Sequence, residues 1–272
     1  MLSLALLTGL GLAAASPDPL SPPASVPACT ESGPSPCAAF EDRYTELVRE
    51  ANAATLAWGK NLKALRDAEQ NGGANVPASA WTSPLIPFVP RFQAEAAERA
   101  GTEAAIPFLM WVTQNAMPME GAGRKAAKDC LRELVTTHRS SDQLEELTWM
   151  LGRLVYFFGE EDGAAIGAAL EAESPSQEVR TWAVFSRRSG ALESAPVDSS
   201  AFAEAVAELR AALSKVDMEM LSDEVENRIA VRERFSIGMI APDIEGIDLA
   251  GDPFSLSDYE GKVVLVDFWG DW

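Results

Sequence analysis

Between Ala38 and Arg234 strand signals vanish, and apolar residues recur at steps of three and four. Phe40, Tyr44, Leu47, Val48, Ala51, Thr55, Trp58, Leu62 and Leu65 fall on one face of a single long helix. Asn71-Gly72-Gly73 supplies its stop signal. A loop containing Pro77, Pro84, Pro87 and Pro90 follows, and shorter helices then alternate with turns. Thr102, Ser140, Ser176 and Ser222 each read as a helix N-cap, separated by 38, 36 and 46 residues. Helices near 90–100, 122–138, 161–172 and 200–215 precede these caps. The pattern is a helix–turn–helix unit repeating at roughly 35–45 residues, within the range of helical repeat arrays. Residues 38–235 are therefore expected to form a mainly α, solenoid-like domain of helical hairpins. Such a domain can offer a face to a protein partner.

Both ends depart from this pattern. Met1 to Ala15 is a weakly apolar run closing in Ala13-Ala14-Ala15, the length and ending of a secretory signal. No Lys or Arg precedes it. The run is too short for a membrane-spanning helix, and an extracytoplasmic location is expected, with tethering by an uncleaved signal as the variant. Residues 16–37 contain seven prolines and read as an extended linker. Cys29 and Cys37 lie within it; in an exported chain they either close a small structural disulfide or stay as unpaired thiols.

At the carboxyl end, Val263-Val-Leu-Val266 is short and rich in β-branched residues. It reads as a central strand buried on both faces. Ala250-Gly251-Asp252-Pro253 marks a turn between two short segments, so a β-hairpin is expected there. Ser255 or Ser257 can cap one helical turn, and Gly261 ends it. Residues 237–272 thus form a separate, α/β-type segment.

The same residues resemble the redoxin superfamily, which includes the thioredoxin-like and AhpC/TSA proteins. Gly238-Met-Ile-Ala-Pro-Asp243 is similar to its opening, and Ser255-Leu-Ser-Asp-Tyr-Glu-Gly-Lys262 to its Leu-Ser-Asp-Tyr-x-Gly-Lys run. Asp267-Phe-Trp-Gly-Asp-Trp272 resembles the thioredoxin strand end that leads into Trp-Cys-x-x-Cys. The resemblance implies the start of an incomplete thioredoxin-like domain, with the redox-active cysteines expected immediately after Trp272 and none in the 272 residues. Gly270-Asp271-Trp272 matches the TlpA-type pattern, whereas a peroxidase would carry Pro-x-x-x-Thr/Ser-x-x-Cys. The implied activity is exported thiol–disulfide exchange on protein thiols and disulfides, inactive in this chain alone. An AhpC/TSA-type peroxidase and a helical interaction module with a degenerate redoxin segment are the alternatives.

The resemblance places Asp267 where thioredoxin keeps a buried carboxylate. Desolvation would raise its pKa and fit it to accept a proton in exchange; otherwise it is a structural aspartate bonded to a nearby amide. Trp272 would flank the nucleophile. Phe108–Asn115 and Cys130–His138 resemble, more weakly, the helical region ahead of some TlpA-type proteins.

Charge and composition narrow the classes. With 41 acidic against 22 basic residues, the net charge is −19. A nucleic-acid interface needs a basic face, so none is expected, nor electrostatic docking on anionic lipid. His138, the sole histidine, ends a helix and has no ligand-spaced partner, so no metal site is expected. Cys130 reads as a small core residue, and Trp111, Trp149 and Trp182 as core anchors. Glu160-Glu161-Asp162 fits a helix amino end rather than a calcium loop. With no phosphate-binding glycine loop and no Ser/His/Asp set in the sequence, no cofactor is expected.

Overall fold

Thirty-five consecutive residues enter one helix before the first glycine pair stops them. In the computed structural model, which describes residues 36–267 with side chains from residue 43 on, α1 runs Pro36–Gln70. The linker expected to reach residue 37 therefore gives way to helix at Pro36. The expected signal segment, Cys29, the Cys37 side chain and Trp272 lie outside the described residues. The helix ends where glycine permits it: Gly72 has φ +84°, and the Gly73 amide donates to the Ala68 carbonyl at 2.9 Å.

The chain divides into two compact units, residues 1–187 and 188–272. In the first, among the described side chains of the predicted α1 stripe, Leu47 and Ala51 are fully buried. Toward its end, Trp58 Nε1 donates to the Ala80 carbonyl at 2.7 Å, which holds the proline-rich loop against the helix. After α2 (Val89–Glu98) comes α3 (Ile106–Ala116), whose residues 106–113 are all buried. Pro90 and Pro107 sit in the first turns of these helices, where a missing N–H costs nothing. Next are α4 (Ala122–Thr137), a 3₁₀ turn over Asp142–Leu147, α5 (Thr148–Leu151), α6 (Leu154–Phe158) and α7 (Glu160–Glu173). Helix α8 spans Gln177–Ser194. The main packing pairs are α2 with α3, α3 with α4, and α6 with α7.

An aromatic cluster joins the first three helices. Phe92 of α2 is fully buried and stacks on Trp111 of α3, with centroids 3.7 Å apart and planes 4° from parallel. Tyr44 of α1 meets Phe92 and Phe108 edge-on, at 6.1 and 5.3 Å. Above it lies an ion-pair chain in which Glu95 accepts from both Arg43 (2.7 Å) and Arg99 (2.8 Å). Burial by itself would raise the Glu95 carboxyl, but these two guanidinium hydrogen bonds hold it below the usual range.

The expected cap periodicity survives in part. Ser176 accepts from the Val179 amide at the start of α8. At the second position the cap is Ser141 rather than Ser140, accepting from Gln143 and leading into a 3₁₀ turn. No single helix follows, because the path changes direction at Thr148 (φ 24°) and again at Gly159 (φ +87°). Thr102 precedes a 3₁₀ turn, yet its hydroxyl donates backward to the Arg99 carbonyl. Trp111 is buried and Trp182 packs against the core, but Trp149 is 44% exposed under the Arg153 guanidinium, which corrects its expected role as a core anchor. Glu160-Glu161-Asp162 does form the first turn of α7.

In the second unit, α9 (Ser200–Leu213) and α10 (Glu219–Phe235) bury Phe202, Leu209, Leu221, Val225 and Ile229. Ser199 caps α9 through the Phe202 amide. Ser222 is no cap; α10 begins three residues before it. Arg210 grips Glu226 through two bonds of 2.7 Å, clamping α9 to α10. Two short strands follow: β1 (Glu245–Ile247) pairs antiparallel with β2 (Pro253–Ser255), placing Gly246 opposite Phe254. The described chain is thus mainly helical with a small two-stranded sheet.

Candidate functional site

The segment expected to carry chemistry is folded by short-range polar contacts rather than by burial. Asp248 opens the β1–β2 turn: its Oδ1 accepts from the Ala250 amide at 2.8 Å and the Asp252 amide at 3.0 Å. Gly251 takes φ +92°, a backbone shape for which glycine is suited. Gly246 is held tight against the Phe254 ring; a Cβ there would lie 2.9 Å from its edge. The hairpin therefore forms where the Ala250–Pro253 turn signal placed it.

After β2, residues Leu256–Tyr259 make one 3₁₀ turn. Ser255 and Asp258 form a reciprocal capping box, the Ser255 amide donating to Asp258 Oδ2 at 2.7 Å. Of the two serines able to cap, Ser255 takes that role. Ser257 instead donates through its amide (2.9 Å) and its hydroxyl (2.7 Å) to Asp243. The Ser257 hydroxyl, then its amide, hold the Asp243 carboxyl below the usual carboxylate range. Asp243 thus ties the approach to β1 onto the turn after β2. Its neighbour supports the same closure, since the Leu256 amide donates to the Ile244 carbonyl at 2.9 Å. Sequence reading picked out Asp243 as part of a motif but gave it no role; the only cue was an aspartate ahead of a two-serine turn. Gly261, at φ +80°, turns the chain out, as its position suggested.

Beyond this turn the expectation changes. Val263–Val266 forms no strand, and all four residues are exposed. Asp267 is exposed in the same irregular stretch, not buried. The physical reason is simple: among the described residues no neighbouring strand pairs with this run, and an apolar run without a sheet has nothing to be buried against. Trp272 and Cys29 lie outside the described residues, as does the Cys37 side chain.

Cys130, on α4, is a buried free thiol. Burial, helped by the nearby Glu133 charge, pushes it up to about 12. It is a core residue rather than a nucleophile, since thiolate is the reactive form. His138 is buried at the carboxyl end of α4, its amide bonded to the Leu134 carbonyl at 3.2 Å. Among the described residues no three His, Cys, Asp or Glu side chains converge as a metal would require. No helix among them is long and apolar enough to cross a membrane. No family model matches the chain, and neither does any curated protein or solved structure.

Proposed function

We propose that residues 237–272 are the opening of a thioredoxin-like domain and that the protein they belong to is an exported thiol–disulfide oxidoreductase acting on protein thiols and disulfides. The observation that supports it is the order of parts along residues 243–267. An Asp243-anchored hairpin leads through a capped turn and a Gly261 bend into an apolar run ending at Asp267. On this reading Val263–Val266 is a strand awaiting partners, and Asp267 becomes buried only when that sheet exists.

Chemistry in such a domain needs a thiolate nucleophile and a proton acceptor for the resolving thiol. Asp267 is assigned the second part. The first belongs to cysteines following Trp272 in a longer reading frame. The 272-residue chain itself should not accelerate insulin reduction by dithiothreitol. Activity that persists after Cys29→Ser and Cys37→Ser would contradict that.

The test is to read the gene beyond the Trp272 codon and to assay its full product. A Cys-x-x-Cys directly after Trp272, with disulfide exchange above background, supports the proposal. Pro-x-x-x-Thr-x-x-Cys would reassign the protein to peroxide chemistry. Neither motif would leave a helical interaction module, a reading that the exposure of Asp267 favours. In the full product, Asp267→Ala should slow exchange most near neutral pH, by about 10²–10⁴-fold at the upper range of general-base effects. Superimposable pH–rate profiles for the two proteins would exclude Asp267 as proton acceptor.

A further inference from the structure

A cleft of about 580 Å³ opens beside the exposed stripe of α4, within residues 1–187. One wall carries Arg124, Lys125, Lys128 and Arg132, and the end of α6 contributes Phe157 and Phe158. Only Glu120 and Asp129 oppose them in the lining. A four-to-two cationic excess is notable on a chain whose acidic residues outnumber basic ones 41 to 22.

Two of those cations are already engaged. Lys125 pairs with Asp129 at 2.6 Å. Arg132 pairs with Asp162 at 2.9 Å, and its guanidinium lies 4.6 Å from the centroid of Phe158. The other two have no carboxylate partner among the described residues. Arg124 spends one N–H on the Met119 carbonyl at 3.0 Å, and half-buried Lys128 makes no hydrogen bond or ion pair. These two stand one helical turn apart on the same face, about 6 Å along the axis. The cleft therefore sets two uncompensated cations beside aromatic faces, in a volume typical of small-molecule sites.

We propose that this cleft binds a small aromatic anion: one ring bearing a carboxylate or phosphate. The anionic group sits between Arg124 and Lys128, and the ring lies against Phe158. Charge assists both contacts, and the apolar side chains supply area for the ring. A nucleic acid is disfavoured, because a polyanion meets the −19 charge of the whole chain, whereas a small ligand feels the field within about a Debye length. An extended acidic peptide is disfavoured too. The lining is largely helix, whose amides are consumed internally, so it offers no row of backbone partners.

The experiment is calorimetric and NMR titration of the full chain with phenyl phosphate and with benzoate, using benzyl alcohol as the uncharged control. At least one anion should saturate, with shifts centred on residues 124–132 and 157–158. The alcohol should bind at least about tenfold more weakly, and Lys128→Gln and Arg124→Gln should each weaken the anion about tenfold, the effect of one lost charge-assisted contact. Preference between phosphate and carboxylate identifies the acidic group. Both variants alter exposed or half-exposed side chains, and unchanged helical circular dichroism verifies their fold. No saturation by either anion at millimolar concentration, equal binding of the alcohol, or indifference to both variants would overturn the proposal. So would tighter binding of an Asp/Glu-rich pentapeptide with a central phenylalanine, which would make the cleft a peptide groove.

Discussion

Replacing Phe92 with alanine should be among the most damaging single changes to the helical unit. Its ring is wholly excluded from solvent and meets three aromatic rings on two neighbouring helices: Trp111 of α3 in a parallel stack, with Phe108 of α3 and Tyr44 of α1 around it. Truncation forfeits the transfer free energy of the ring and leaves a cavity that three helices would have to collapse to fill. Such Phe→Ala changes cost about 3–5 kcal/mol, and the lost stack accounts for about 0.5–1.5 kcal/mol of that. For a unit of this size each kcal/mol lowers Tm by about 2–4 °C, so a fall of about 6–20 °C is expected. Phe92→Leu keeps most of the volume and should lose roughly half as much; both variants lose the stack, so the difference between them reports the cavity. Urea titrations of the full chain, followed by tryptophan fluorescence and far-ultraviolet circular dichroism in parallel, give the free energies. Two units can unfold separately, so coincidence of the two probes must be checked before a two-state fit. A loss below about 1 kcal/mol for Phe92→Ala at unchanged m would show that the α1–α2–α3 cluster does not hold this unit together.

Three further outcomes follow from named contacts. Gly163→Ala would place a Cβ 2.5 Å from the Val155 Cα on α6, against backbone that cannot swing aside, and should destabilise by about 1–3 kcal/mol. Gly167→Ala meets mainly the flexible Arg187 stem at 3.0 Å and gains helix propensity, so it should be near neutral; equal melting temperatures for the pair would refute the close α6–α7 approach. In a Cys29→Ser/Cys37→Ser background, Cys130 should resist Ellman's reagent at pH 8 until denaturant is added, and stoichiometric labelling of native protein within minutes would contradict its burial. Because Glu95 is held below its unfolded pKa, its contribution is present above about pH 4.3 and lost as pH falls through the folded value. Glu95→Gln should therefore flatten the acid limb of the stability profile, and parallel acid limbs in the two proteins would deny the Arg43–Glu95–Arg99 link that role.

What could be read from the sequence divides by the range of the interactions that make it. The Gly72 stop, the Ser176 cap, the Ala250–Pro253 turn and the Gly261 bend were visible because each depends on residues within a few positions of one another. The Ser140 and Ser222 assignments failed for a related reason. A serine has the chemistry of a cap wherever it stands, and only the incoming backbone decides whether the helix has already begun, as it has before Ser222. Contacts that close distant stretches left little trace. Nothing marks Arg43 as the partner of Glu95 across 52 residues, or Asp243 as the acceptor for Ser257 across 14. Trp149 shows the same gap from the other side: its spacing fits an apolar face, but the turn at Thr148 rotates that face outward.

Val263–Val266 is the sharpest instance. Its composition specifies a strand to be covered on both faces, and burial of such a run is worth about 25 cal/mol per Å² of apolar surface. That free energy is available only if other strands and helices present matching faces. Local preference favours an extended backbone, but residues 263–267 form no regular secondary structure; tertiary partners must supply the ladder and the dry environment. The exposure of Asp267 has the same cause, since a side chain at the end of an unpaired run stands in water. Hairpin and capped turn are thus set by contacts within residues 243–261, while burial of Val263–Val266 depends on partners that none of these contacts supply. The two can be separated experimentally: Asp243→Ala should speed amide exchange across the hairpin while leaving Val263–Val266, already exposed, unchanged.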